Sequence, residues 1–247
     1  MRHLLPILVL AGAAGAHAEE ATGPWSGAVS GGYLATAGNA ESKAASLKAS
    51  VAYEAGKWTH SAGATANLAS QQGDSTAEAY TAALKTRFNF AERWYAFGSA
   101  DWIGDRFSAY EYQVYEAAGL GWRAIVPPKH RLDLEAGPGF RQTKLRDVAA
   151  TPLVDESETQ TDVIGLARLE YEWTISENAS FLQKGSMIAG SDNTLYESIS
   201  ELKAGLVGNI ALVLGYIVRH NTDVAPGFEK TDTQTTVSLE YAFGKKK

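Results

Sequence analysis

The 247-residue chain contains no cysteine, so no disulfide staples it and no thiolate is available to hold zinc or to attack a substrate. It has no basic excess either. Its 22 Lys and Arg stand against 28 Asp and Glu, a formal charge of −6, which excludes the positive stripe that a nucleic-acid partner needs. Past the first 18 residues no stretch approaches the roughly 20 consecutive apolar residues of a membrane-spanning helix, and helical periodicity is hard to find. Histidine is scarce: beyond residue 18 only His60, His130 and His220 remain.

What the chain does contain begins with an export signal. Arg2 and His3 precede the apolar run "LLPILVLAGAAGA", and Ala16-His17-Ala18 supplies a small-x-small cleavage site. Residues 1–18 therefore read as a cleaved secretory signal, with the mature chain starting at Glu19. Loss of Arg2 takes the formal charge to −7.

The remainder alternates with a period of two, punctuated by Gly, Asn, Asp and Pro, as strands with two different faces do. About 12 such segments can be traced, each on the order of ten residues, the length of a tilted membrane strand. The sixth segment sets Tyr110, Tyr112, Val114, Ala118, Leu120 and Trp122 against Glu111, Gln113, Tyr115 and Arg123. The last sets Val237, Leu239, Tyr241 and Phe243 against Ser238 and Glu240. The ninth, around "ASFLQKGSMIAG", is the least regular. Connections fall into two alternating classes. "EAGK", "FAER", "VPPK", "SEN" and "GN" are short; those near Asn39, Gly73, Gly104 and Asp192, and above all "LRDVAATPLVDESETQ" and "NTDVAPGFEKTD", are mostly longer and acidic. That asymmetry predicts an all-β, antiparallel, up-and-down transmembrane barrel with short periplasmic turns and long external loops. The expected layout is one domain over 19–247, with the barrel at about 24–243 and a Lys-rich tail at 244–247.

Tryptophan placement points the same way. Trp25, Trp58, Trp94, Trp122 and Trp173 all fall at segment ends next to short turns or the N-terminus, joined by Phe181, Tyr241 and Phe243. Aromatic rings gather where a bilayer meets water, so these eight form an expected periplasmic girdle. With the apolar faces turned to lipid, the interior receives Lys48, Lys85, Arg87, Glu111, Arg123, Arg131, Asp133 and Glu135. It also receives Arg141, Arg168, Glu170, Glu172, Glu197, Lys203, Arg219 and Glu240. Charges of that number suit a hydrated lumen and not hydrocarbon. Both signs are present in similar number, so neither anions nor cations are favoured.

Four stretches, "GYLATAGNAESKAASLKASVAYEAGKW", "FGSADWIGDRFSAY", "LEAGPGFRQTK" and "VRHNTDVAPGFEKTDTQTTVSLEYAF", together resemble the salt-induced outer-membrane protein family, a bacterial domain of unknown function. The resemblance spans roughly Trp25 to Phe243 and implies an outer-membrane barrel of about 12 strands; it brings no catalytic residues, metal or cofactor. The final aromatic pattern resembles the signal by which the barrel-assembly machinery recognises its clients, although "GKKK" follows Phe243. Expected partners are thus outer-membrane lipids, lipopolysaccharide and that machinery, with no nucleic acid and the oligomeric state open.

Three functional readings follow. The first is a small passive, porin-like channel tied to envelope or salt stress. The second is a non-conducting structural barrel whose external loops bind cations or lipopolysaccharide through Asp147, Asp155, Glu156, Glu158 and Asp162, or through Asp223, Glu229 and Asp232; no compact calcium-loop spacing is present. The third is an outer-membrane hydrolase, for which His220 is the candidate base near the outer rim. His60 and Ser61 alternate to opposite faces, and His130 falls at a periplasmic turn.

Overall fold

The computed structural model describes residues 23–36, 41–108, 110–146, 159–224 and 229–244. The expected signal at 1–18, the tail 245–247 and the acidic segment 147–158 lie outside the described residues.

Alternation produces strands throughout. They are β1 (Trp25–Thr36), β2 (Ser42–Ala55), β3 (Trp58–Gln71), β4 (Asp74–Asn89), β5 (Trp94–Asp105) and β6 (Tyr110–Ile125), then β7 (His130–Leu145), β8 (Thr159–Ser176), β9 (Ala179–Ala189), β10 (Thr194–Val207), β11 (Ile210–Asn221) and β12 (Thr231–Gly244). Each pairs antiparallel with its sequence neighbours, and β12 returns to β1, closing the sheet. A closed barrel leaves no strand edge unpaired. The strands are longer than expected, up to 18 residues in β8.

The strand ends divide into a near end, where the short turns lie, and a far end. The near-end turns match the five short connections read from the sequence. At the far end the expected greater length fails in part: the connections 106–109 and 190–193 are no longer than the near-end 90–93 and 126–129, and Gln72 and Gly73 join β3 to β4 as a two-residue turn with φ of 52° and 91°. Positive φ at both positions is the signature of a tight hairpin whose twist matches that of the flanking strands, so the ladder runs on where a long loop was expected.

Closure between β1 and β12 is in register from Ser26↔Gly244 to Gly31↔Leu239. Phe243 lies over Gly27, its paired residue; a Cβ at Gly27 would stand 2.6 Å from the ring. The aromatic end of the last strand thus fills the space that a glycine leaves on the first.

Candidate functional site

Register and side-chain partners together identify the inner wall. Lys48 on β2 donates to Glu201 on β10 at 2.6 Å, with β1, β12 and β11 lying between them round the sheet. Such a contact passes through the interior. Lys85 and Arg87 on β4 meet Glu135 on β7 at 2.5 and 3.3 Å, and Arg168 on β8 meets Asp101 on β5; each of these pairs skips two strands. The inward residues alternate with the outward apolar ones, as the period of two requires.

The inner charges form two groups. The first is buried and centred on Tyr95, whose hydroxyl donates to Glu135 Oε1 at 2.9 Å. The Arg87 and Arg123 guanidiniums lie 5.0 and 5.3 Å from the Tyr95 ring centroid, within cation–π range. Asp133, also buried, accepts from Arg131 at 2.6 Å and from Arg87 at 3.4 Å. Arg123 donates to Asn89 Oδ1 at 2.5 Å and to the Glu92 carbonyl at 3.0 Å. Glu172 stands in register with Arg131.

The second group is more open and lies across β10, β12 and β2. Lys203 donates to Glu240 at 2.5 Å, and Ser30 on β1 is in register with both Glu240 and Lys48. Lys48, Glu201, Lys203 and Glu240 therefore alternate in sign around one patch of the interior. Flanking pairs are Arg219–Glu197 at 2.6 Å, Lys184–Glu170 at 3.6 Å and Arg141–Asp162 at 2.9 Å.

Fifteen of the sixteen residues read as lumenal occupy inward register. Glu111 does not. A β-bulge between Tyr110 and Tyr112 exchanges the faces of the residues beside it. Glu111 is carried to the outer side of the far rim, where it pairs with Lys144 at 2.9 Å, while Tyr110 turns inward within electrostatic reach of Arg219 and Asp232. Asp162 and Asp232, read as loop carboxylates, instead belong to β8 and β12.

Several inner residues are missing from the lumenal charges named from the sequence, although the alternation sets Glu201 on the polar face of its strand. Asp101, Lys184 and Glu201 complete ion pairs; Asp101 alternates with Trp102, so the period alone could have assigned it, whereas Lys184 sits in irregular β9. The larger omission is apolar. Tyr95, Phe97, Tyr115, Ile164, Leu166 and Ile188 form a buried cluster inside the barrel. A lumen lined by charges was expected, with Tyr115 the one member of this cluster placed on the inward face, and the structure adds to it: on the β5–β9 side the inner face packs like a soluble core.

On the outside, the eight girdle aromatics occupy the near end. Trp25 meets Tyr53 and Trp58 meets Phe88, both at 4.7 Å between centroids, and Trp94 stacks on Trp122 at 6.2 Å. Trp173 is in register with Phe181, Tyr241 with Val29. Two histidines join the ring, His60 stacked 5.9 Å from Trp58 and His130 5.9 Å from Trp173. Their Nδ1 atoms meet the hydroxyls of Thr86 and Tyr171, and His220 Nδ1 meets that of Thr231. All three face outward, in register with aromatic or Thr neighbours.

Among the described residues, Glu116 breaks the outward apolar pattern without an ion-pair partner. Glu116 is in register with Ala100 and Phe140 on the outer face. By contrast, Gln183, also outward, is held by Ser198 and Ser200 at 2.9 and 2.6 Å.

A family model described as "Protein of unknown function, DUF481" matches residues 29–243. The uncharacterized protein YdiY of Escherichia coli (strain K12) is 32% identical over 222 residues, which is 89% of this chain and 83% of that protein. Among solved structures, the NanC porin superposes with a TM-score of 0.50 at 10% identity, over 89% of this chain and 98% of that one. At that identity the likeness is one of fold, and the fold is that of an outer-membrane barrel.

Proposed function

The chain belongs to this DUF481 family of unknown function, which hands down no activity, and we propose that it is a small passive channel of the outer membrane, without catalysis. One observation carries the reading: Lys48, Lys184 and Lys203 point into a closed barrel and are still substantially exposed. Water must reach them from within. A 12-strand barrel lies between the filled 8-strand and the open 16-strand classes, so a lumen that is part packed and part wet is the expected intermediate. The NanC structure is, by its name, a porin.

In this reading the near end with its girdle is periplasmic, the last strand is handed to the barrel-assembly machinery through Phe243, and the far-end loops face lipopolysaccharide. The resemblance to salt-induced proteins makes envelope stress the setting. A second reading, a sealed structural barrel, has its own support in the buried Tyr95 network and the apolar cluster beside it.

Conductance separates the two. The refolded chain, inserted into a planar bilayer in 1 M-range potassium chloride and checked for heat-modifiable gel migration, is expected to give discrete current steps. A folded, inserted protein that passes no current overturns the channel in favour of the sealed barrel.

A further inference from the structure

The inner wall is not uniform. From β5 to β9 it carries the packed aromatic and aliphatic cluster, whereas β2, β3 and β12 present Ser50, Ser61, Gly63, Thr65 and Ser238 inward. Small side chains leave space that large ones fill. The wet part of the lumen therefore runs along the β12–β1–β2–β3 side, past the alternating Lys48, Glu201, Lys203 and Glu240.

Within that passage the two signs are not equally open. Side-chain exposure is 42% for Lys48 against 19% for Glu201, and 42% for Lys203 against 12% for Glu240. The carboxylates are tucked toward the wall, and the ammonium groups stand between them and the water. A passing ion meets the nearer charge more strongly, because Coulomb energy falls with distance and salt screens the farther partner. Among the inner ion pairs of the described residues, the acid is the more open member in Arg141–Asp162 and Arg168–Asp101, both on the packed side, where Lys184–Glu170 has the base more open at 45% against 33%. Glu54, also inward, lies one residue from the near end of β2, and Glu172 belongs to β8 on the packed side, in register with Arg131 and Leu182.

We infer that the narrow part of this lumen prefers anions, small carboxylate or phosphate solutes included, and that Lys48 and Lys203 set the preference. The inference rests on the channel reading above and adds a solute class to it. It departs from the charge balance of the sequence, which favours neither sign; what decides is which member of each pair faces the water.

The test is the reversal potential of single channels under a potassium chloride gradient. The unaltered protein is expected to reverse on the chloride side. Lys48→Gln with Lys203→Gln is expected to lose about threefold in chloride-over-potassium preference per lysine, because removing each ammonium also uncovers its carboxylate. Glu201→Gln with Glu240→Gln is expected to shift the potential the opposite way. General damage to the barrel would not move the two variants in opposite directions, and heat-modifiable migration identifies any variant that fails to fold. Current steps with potassium preference, or a preference that neither pair of substitutions moves, overturn the inference and leave the channel standing. Absence of steps from folded wild-type protein overturns the channel itself, and the inference with it.

Discussion

Tyr95 on β5 lies directly over Gly121 on β6, its register partner, so that a Cβ at Gly121 would fall 2.2 Å from the phenol ring. The ring has no other place to go, since Arg87 and Arg123 hold its faces and Glu135 its hydroxyl. Gly121→Ala is therefore expected to destabilise the barrel by about 1–3 kcal/mol, the ordinary cost of overpacking. In the Tyr95→Ala background the same change should cost much less, because the clash is gone. Urea unfolding in detergent micelles measures both; additive effects would mean that ring and glycine do not share the space.

The buried carboxylate Asp133 depends on Arg87 and Arg131. Removing one partner of a desolvated pair leaves a charge uncompensated, at a cost of about 3–5 kcal/mol, while replacing both by apolar groups costs far less. Arg87→Met alone should lower the unfolding midpoint steeply. Adding Asp133→Leu should recover part of the loss even though a second interaction has gone. Recovery is the informative outcome, because a purely cumulative loss would show that Asp133 is hydrated in the folded protein.

These two relationships mark the limit of what the sequence disclosed. Strand number, closure and the inward register of 15 residues were legible because a period of two has only two phases, and one residue's face settles its neighbours'. Glu111 was misplaced because a bulge changes phase without altering composition. The apolar interior was missed for a related reason: once the outward stripe was taken to be the apolar one, Ile164, Leu166 and Ile188 had no place in the pattern. Only pairing shows that Leu166 stands opposite Ile188 across β8 and β9, facing Phe97 and Tyr115 in one cluster. Which lysine or glutamate faces water is further still from sequence, since it depends on chords across the barrel such as Lys48 to Glu201.

Glu116 offers a test of the lipid-facing surface. It lies roughly 15 Å from Trp122 along the barrel axis, by strand rise and tilt, which places it near the centre of the apolar band. Carboxylates there cost less than the roughly 2–4 kcal/mol of Lys or Arg at mid-bilayer. Glu116→Leu is expected to stabilise the barrel by about 1–2 kcal/mol in phosphatidylcholine vesicles and to do little in micelles, where water reaches the surface. Equal effects in both would place Glu116 against water or protein in the vesicle.

The girdle makes the last prediction, and it bears on the membrane itself. Trp25, Trp58 and Trp94 begin their strands and Trp122 and Trp173 stand three residues from the ends of theirs, all at the near end, and their rings touch near-end neighbours such as Tyr53 and Phe88. An indole at a bilayer surface keeps its N–H among headgroups and its ring among the first methylenes, so all five should share one depth. Trp102 is in register with Ala82 and Val114, farther along β5, roughly 20 Å nearer the far end by strand rise and tilt. Single-tryptophan variants, with the remaining tryptophans changed to Phe, can be inserted into vesicles carrying brominated lipid. The five girdle tryptophans are expected to be quenched most by bromines close to the headgroups and least by those near the chain ends. Brominated lipid confined to one leaflet should quench Trp102 and the five girdle residues in opposite preference. Scattered depths, or fluorescence indifferent to bromine, would mean that the exposed apolar face meets something other than lipid, and the channel would lose the membrane it is proposed to cross.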